Sequence, residues 1–166
     1  MVILEDSRQQ AGKHELKHAT FKAEGDEVIR SKIVFGDYCL PPAVAVDTKA
    51  NMAEIAQNIG GTREEHNRFR RECQAAAAAG CRLIVLVEND EGIRTVEDVK
   101  SWRNPRAEYS AKAIDGPRLS RAMQTMAERY GVTFMFCSPE EAAHRIKDIL
   151  KGGGNAKEKQ RTLPSR

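Results

Sequence analysis

The sequence predicts an α/β fold, a three-layer domain whose central mixed sheet is flanked by helices. Apolar segments of strand length alternate with segments of helical periodicity along the chain, which is the pattern of layered α/β proteins. The segment LIVLV at 83–87 is apolar at every position, as is typical of a central strand covered on both faces. The length of 166 residues, of which 40% are hydrophobic, suits a single core. We therefore expect one domain over residues 1–151.

The first fifty residues are predicted to form three strands and one helix. Gly36-Asp37 is a turn signal after a partly alternating segment, and Pro41-Pro42 interrupts the chain. The connection over 36–42 therefore resembles a hairpin with some strand character of its own. The strands are predicted at 2–6, 28–35 and 43–46, and the helix at 12–22.

Two helices in the middle of the chain have clear start signals. Asn51 is a good N-cap for a helix over 51–59. Thr62 is followed three residues later by Glu65, which is the capping-box pattern. A second helix is therefore expected over 63–79.

The last third is predicted to contain a short helix, a long helix, a strand and a final helix. Gly131 ends the long helix, and Ser138-Pro139 provides an N-cap with proline at the first helical position. Residues 152–166 are rich in glycine and basic side chains, so a flexible basic tail is expected there. Such a tail is either a solvated terminus or a non-specific phosphate contact. The four elements are expected at 95–102, 118–130, 132–136 and 138–151.

The overall composition excludes some classes of protein and leaves others open. The net charge of +3 neither demands nor excludes nucleic acid as a partner. No stretch approaches 18 apolar residues, and no basic start precedes an apolar run, so neither a membrane partner nor a signal peptide is expected. None of the four cysteines forms a Cys-x-x-Cys pair, which favours free thiols in an intracellular protein over a structural zinc site.

Two carboxylates and an amine lie around an apolar strand and form the candidate chemical site. Asp47 and Lys49 are two residues apart on a strand, so they share a face while Thr48 points away. If that face meets the turn that carries Asp37, two hard oxygen donors suited to Mg²⁺ or Mn²⁺ converge beside an ammonium group. The metal would polarise a phosphate, and the lysine would orient water, aid its deprotonation or stabilise developing charge. Asp6 and Glu5 lie at the end of another strand and are further candidates. The bare pattern also fits a solvated strand edge or a salt bridge.

The motifs in their order resemble the nuclease domain of the XPF family of structure-specific endonucleases, within the PD-(D/E)xK superfamily and its restriction-endonuclease-like fold. The likeness spans about residues 1–150. It is carried by LEDSRQ at 4–9, GDY at 36–38, VDTK at 46–49, the strand LIVLVE at 83–88 and YGVTFMFCSPEEAAHRIKDIL at 130–150.

The resemblance implies a metal-dependent endonuclease that cuts branched, flap or junction DNA with Mg²⁺ or Mn²⁺. It implies metal ligation by Asp37 and Asp47, a catalytic role for Lys49, and an acidic cluster completed by Asp6. Arg8 would support the site or contact phosphate. Similar proteins often pair, so a homodimer or a partner nuclease-fold subunit is expected. The short chain, which has no tandem helix-hairpin-helix module, suggests an intracellular, DNA-associated protein of bacterial or phage type.

Four positions depart from the family pattern. Asp47 replaces a glutamate, Thr48 an arginine, Gln9 a glutamate and Ala53 an aspartate. These departures keep open an alternative, a catalytically inactive DNA-binding or dimerisation module on the same fold. Retention of both carboxylates and the lysine favours the enzyme.

Other charged motifs are assigned weaker roles. HELKH at 14–18 matches a zinc-protease pattern, but the segment is short and hydrophilic, so a surface helix near the site is expected. The arginines and glutamates over 63–72 are expected to form a solvated face, with Arg63 at the helix start as the best candidate for DNA contact. The basic residues over 103–121 surround a long loop and are candidates for contact with the DNA backbone.

Overall fold

The central element is a mixed sheet, in which the described residues form six strands. The structure is a computed structural model that describes residues 2–10, 12–33, 36–40 and 44–153. The strand order is β2-β1-β3-β4-β5-β6, and β3 runs antiparallel to its neighbours while the other adjacent pairs are parallel. The predicted mixed sheet is therefore confirmed. The strands are β1 Val2–Asp6, β2 Glu27–Ser31, β3 Tyr38–Leu40, β4 Val44–Lys49, β5 Arg82–Glu88 and β6 Thr133–Cys137.

Within the part of the chain that the structure describes, five α-helices cover the two faces of the sheet. Side chains of β5 alternate between two hydrophobic clusters: Val85 packs with α2, α3 and α4, and Ile84 packs with α1 and α5. Burial on both faces explains why residues 83–87 of this strand are all apolar. The three-layer α/β prediction is therefore confirmed. The helices are α1 Glu15–Ala23, α2 Met52–Gly60, α3 Arg63–Ala78, α4 Gly116–Tyr130 and α5 Ala142–Asp148.

The predicted caps fix the start of α2 and α3. The side chain of Asn51 accepts a hydrogen bond from the Glu54 N–H at 2.8 Å. Thr62 and Glu65 form the reciprocal capping box at the start of α3. Because α2 follows the end of β4 directly, the Asn51 cap fixes where α2 leaves that edge of the sheet, and the capping box fixes where α3 begins after α2.

The start of the last helix differs from the prediction. Glu141 accepts a hydrogen bond from the Ser138 N–H at 2.9 Å through its side chain, and its own N–H donates to the Ser138 carbonyl at 3.1 Å. The segment 138–141 is therefore a closed turn, and α5 begins only at Ala142. The short helix expected at 95–102 is a single 3₁₀ turn over Asp98–Ser101.

Two further sequence predictions concern the cysteines and the tail. Cys39, Cys73, Cys81 and Cys137 are free, as expected. Residues 154–166 lie outside the described residues, so the predicted basic tail and the boundary at 151 stay predictions. Within the described ranges, no helix has both the length and the apolar character needed to cross a membrane.

Candidate functional site

An open cleft lies at the sheet edge where β1 and β4 end. Because β3 runs opposite to both strands, its first residues lie at this same edge, which brings Asp37 beside the ends of its neighbours. Helices α2 and α3 form the remaining wall, and the cleft has a volume of about 620 Å³. Its lining includes five acidic and five basic side chains: Asp6, Asp37, Asp47, Glu54, Glu72, Arg8, Lys13, Lys49, Arg68 and Arg71.

The backbone fixes Asp37 between two strands. Gly36 adopts φ +76°, a conformation that favours glycine, and a Cβ atom there would lie 3.1 Å from the Val46 carbonyl oxygen. The Asp37 N–H donates to that carbonyl at 2.7 Å, and the Asp6 N–H donates to the Asp37 carbonyl at 2.8 Å. The turn therefore holds the Asp37 side chain at a defined place on the floor of the cleft.

The carboxylate of Asp37 accepts hydrogen bonds at both oxygens. Oδ2 accepts from the Thr48 N–H at 2.7 Å and from the Thr48 hydroxyl at 2.5 Å, and Oδ1 accepts from the Gln9 amide. Burial raises the pKa of Asp37, and the two hydrogen bonds from Thr48 oppose that rise. Thr48 and Gln9, two of the departures from the family pattern, are thus the residues that orient Asp37.

Asp47 and Lys49 form a buried ion pair, as their spacing on one strand face predicts. The distance from Lys49 Nζ to Asp47 Oδ2 is 2.8 Å, and the ammonium also lies 5.3 Å from the centre of the Phe69 ring. Burial raises the pKa of Asp47 to about 7; the charge of Lys49 opposes that rise, and the negative charges of Glu72 and Asp37 add to it. Burial lowers the pKa of Lys49, but the surrounding carboxylates outweigh this effect and its pKa lies above the ordinary value. The pair itself is neutral, and the carboxylates of Glu72 and Asp37 lie close enough to raise the pKa of both of its members.

Glu72 is a third carboxylate of the site, and the sequence interpretation missed it by assigning it to a solvated face. Its Oε1 accepts a hydrogen bond from the Gly36 N–H at 2.7 Å. Phe69, Cys73 and Ala76 form the buried stripe of α3, and Glu72 lies directly beside that stripe at helical spacing. The helical periodicity therefore carried a signal that could have identified Glu72.

Asp6 lines the cleft, but its carboxylate is engaged by Arg8. The Arg8 side chain donates to Asp6 Oδ2 at 2.7 Å and, through a second nitrogen, to the Ile33 carbonyl at 2.7 Å. Burial raises the pKa of Asp6, but the hydrogen bonds from Arg8 outweigh it and leave the pKa below its usual value. Asp6 thus anchors an arginine that is 56% exposed at the cleft mouth.

The structure brings five of the predicted site residues together and leaves Arg63 and Glu5 outside the cleft. Arg63 is exposed at the start of α3 and does not line the cleft. Arg68 and Arg71, one to two turns further along the helix, do line it. The residues that converge are Asp6, Arg8, Asp37, Asp47 and Lys49.

Two side chains of the HELKH segment, His14 and Lys17, face the fold, while Glu15 and Leu16 are exposed. His18 Nε2 lies 2.7 Å from Glu5 Oε1, and His14 Nδ1 lies 2.6 Å from the Tyr38 hydroxyl. His14 and Lys17 are buried, so the expectation of a surface helix is wrong for these two side chains. The histidines approach Glu5, whose side chain leaves β1 on the face opposite to that of Asp6.

The donor set of the cleft suits Mg²⁺ or Mn²⁺ by chemistry and charge. Asp37, Asp47 and Glu72 place hard oxygen atoms around the buried ammonium group of Lys49. Burial raises the pKa of Asp47, and the charges of Glu72 and Asp37 raise it further. Among the described residues, no group of three or more His, Cys, Asp or Glu side chains is arranged to hold a metal ion. Mg²⁺ is commonly held by one or two carboxylates, with water and substrate phosphate completing its shell, so Asp37 and Asp47 fit that role.

Comparisons with known proteins identify the fold. No family model matches the chain, and no curated protein matches it. The solved structure "XPF from Aeropyrum pernix" matches with a TM-score of 0.65 and 17% identity, over 97% of this chain and 69% of that one. "XPF from Aeropyrum pernix, complex with DNA" matches with a TM-score of 0.64 and 18% identity, over 92% of this chain and 64% of that one. The resemblance to XPF is therefore confirmed at the level of the fold.

Proposed function

We propose that this chain is a divalent-metal-dependent endonuclease that hydrolyses DNA phosphodiester bonds, with branched, flap or junction DNA as its substrate. The observation that carries the proposal is the buried Asp47–Lys49 pair beside Asp37 on the floor of an open cleft. Buried carboxylates with raised pKa values are costly to a fold and concentrate at catalytic sites. The XPF fold, known also in a complex with DNA, supports DNA as the substrate.

The side chains of the cleft divide the task. Asp37 and Asp47 would hold Mg²⁺ or Mn²⁺, which supplies a Lewis acid that polarises the phosphodiester. Thr48 and Gln9 keep the Asp37 carboxylate in one orientation. Lys49 directs an ammonium group towards the same floor, where its N–H donors stabilise negative charge that develops on the phosphate.

The rim of the cleft is suited to the DNA backbone. Arg68 and Arg71 are exposed and line the opening, and Arg8 is held there by its bonds to Asp6. Guanidinium groups form paired hydrogen bonds with phosphate oxygens, so these arginines would position a strand without reading its sequence. A homodimer, or a complex with a second nuclease-fold subunit, belongs to the same proposal.

A second candidate function is a catalytically inactive DNA-binding or dimerisation module. The observation that favours it is that the carboxylates at the strand ends already have protein partners. Each of these carboxylates therefore contacts a protein donor or counter-charge before any metal ion binds, as the carboxylates of a non-catalytic scaffold would. The partners are Thr48 and Gln9 for Asp37, Arg8 for Asp6 and Lys49 for Asp47.

A cleavage assay separates the two functions. Labelled flap, fork, duplex and single-stranded DNA are incubated with the protein in Mg²⁺, Mn²⁺ or EDTA. We expect metal-dependent cleavage that favours flap or fork DNA and that is lost in Asp47→Ala and Lys49→Ala, while the exposed control Lys100→Ala cuts normally. Cleavage that survives in Asp47→Ala or Lys49→Ala would refute the proposed site. DNA binding without metal-dependent cleavage would establish the inactive module instead.

A further inference from the structure

A second groove lies between α3 and α4, distinct from the cleft with Asp37 and Asp47 on its floor, which we call the acidic cleft. Its volume is about 320 Å³, and apolar side chains such as Met126 form part of its wall. No aspartate or glutamate is among the described residues that line it. Its charged and titratable lining consists of Arg70, Arg118, Arg121, Arg129 and His66, together with Tyr130.

The four arginines of this groove carry uncompensated charge. All four are exposed, and within the described part of the chain none of their guanidinium groups forms an ion pair. Elsewhere the fold does pair such groups, since Arg94 contacts Glu141 at 2.6 Å and Arg8 contacts Asp6 at 2.6 Å. Like charges around one groove repel one another, so their collection at one place indicates an anionic partner.

The spacing of these arginines indicates a partner longer than a single phosphate. Arg118, Arg121 and Arg129 line the same side of α4, and Thr125 lies between them. From Arg118 to Arg129 the helix rises about 16 Å, at 1.5 Å per residue. One strand of duplex DNA carries a phosphate every ~3.4 Å along its axis, so this row spans several phosphates. Arg70 on α3 faces the row from the other side of the groove.

Helix α3 separates this groove from the acidic cleft. Arg68 and Arg71 line the cleft, whereas His66 and Arg70 line the groove. We propose that the groove between α3 and α4 binds the phosphate backbone of a DNA duplex arm that does not enter the acidic cleft. The choice of DNA as the polyanion rests on the proposed function; the surface itself is argued from its charge and spacing.

The test is DNA binding in EDTA, where no cleavage occurs. Fluorescence anisotropy of a labelled fork is measured across a salt series for wild type and for the triple variant Arg118→Gln/Arg121→Gln/Arg129→Gln. In the triple variant we expect DNA affinity to weaken about tenfold or more at low salt. The slope of log affinity against log salt should become less steep by about 2 to 3, since each lost phosphate contact removes about 0.9 from its magnitude.

Two control variants exclude loss of folding and loss of net charge as causes. The triple Arg→Lys variant at the same positions keeps the charge and should keep the salt slope. The variant Lys22→Gln/Lys32→Gln/Lys151→Gln removes the same charge from exposed positions outside both the cleft and the groove, and should bind within about twofold of wild type.

Three results would overturn the inference. The first is an unchanged affinity and salt slope in the triple Arg→Gln variant, and the second is an equal loss of affinity in the triple Lys→Gln control. The third is a wild-type dimer that dissociates in the triple Arg→Gln variant while the DNA affinity per subunit stays constant. The last result would assign the groove to a second copy of the chain. The binding assay contains no metal and is independent of cleavage. Weaker DNA binding in the triple Arg→Gln variant, together with no cleavage by wild type in the separate cleavage assay, would therefore refute the proposed function alone. Normal cleavage without an arginine effect would refute this inference alone.

Discussion

The buried Asp47–Lys49 pair is the feature at residue scale that most needs an explanation. Taking two charges out of water is costly, and a fold that only needed packing would place apolar side chains here. The alternation of β4 puts both side chains on the cleft face, and this was predictable from the sequence spacing alone. Their position beside Asp37 could not be predicted in the same way, because it depends on the antiparallel strand β3, which is only three residues long.

Glu72 provides a test of the site at residue scale. The variant Glu72→Gln keeps an oxygen that can accept the Gly36 N–H but removes one negative charge from the cleft. We expect cleavage to fall by about tenfold to a hundredfold with little loss of stability, since charge stabilisation at active sites is worth a few kcal/mol. The measurement is the single-turnover cleavage rate at fixed Mn²⁺. A rate equal to wild type would show that Glu72 serves only to hold the turn.

At residue scale, the sequence did not predict side-chain positions that depend on contacts between distant parts of the chain. Thr48 is expected to point away from the Asp47 face, yet its hydroxyl reaches Asp37 across the strand end. Gln9 likewise contacts Asp37 from 28 positions earlier in the chain. Neither contact follows from local periodicity, because both depend on how β1, β3 and β4 meet at one edge.

The elements most securely predicted are those with local chemical signals. The capping box of α3 and the asparagine cap of α2 appear as expected. The start of α5 was misjudged because Ser138-Pro139 has the composition of a helix start while Glu141 closes a turn there. A side-chain contact between Glu141 and Arg94, 47 positions away, reinforces that turn and is invisible to local patterns.

The turn before β3 yields a prediction at element scale. In Gly36→Ala, a Cβ atom would be forced into φ +76° and to 3.1 Å from the Val46 carbonyl oxygen. We expect a loss of about 2 kcal/mol or more in the free energy of unfolding, since a left-handed alanine alone costs about 1 to 2 kcal/mol. Cleavage should fall as well, because the turn positions Asp37.

A matched control isolates the steric part of this effect. Gly131 also has positive φ, at +67°, but a Cβ atom there would meet nothing within 4 Å. Urea denaturation of Gly131→Ala should therefore show a smaller loss than Gly36→Ala. Equal losses in the two variants would mean that the contact with β4 has no energetic consequence.

At the scale of the whole molecule, the sheet separates two polar systems. The acidic cleft occupies one face at the end of β1 and β4, and the Glu5 network with His14 and His18 occupies the other. The three-layer arrangement was predictable because helices must cover both faces of an apolar strand such as β5. The sequence did not indicate which histidine of HELKH lies in the interior, because this segment has no apolar periodicity.

The buried histidine makes stability depend on pH. Burial, with the nearby charges of Lys17 and Lys13, lowers the pKa of His14 to about 4, although Glu5 opposes this. An unfolded histidine has a pKa near 6.5, so the unfolded state takes up a proton first, and stability is lost as pH falls from about 6.5 to about 4. In His14→Gln this loss should be absent, a difference on the order of 2 to 3 kcal/mol.

Urea denaturation at pH 7.5 and pH 4.5 measures that difference. The drop in unfolding free energy between the two pH values should be smaller in His14→Gln than in wild type. The exposed His144 provides the control, since His144→Gln should keep the full drop. An equal drop in all three proteins would show that His14 does not control the acid stability.

The central claim is that Asp37 and Asp47 hold a divalent cation on the floor of the cleft, and calorimetric titration with Mn²⁺ tests it most directly. Wild type and the control Asp90→Asn/Glu128→Gln, which changes two exposed acids, should each show one saturable site. The variant Asp37→Asn/Asp47→Asn, verified as folded by circular dichroism, should show none. Undiminished Mn²⁺ binding in Asp37→Asn/Asp47→Asn, or no saturable binding in wild type, would contradict the claim.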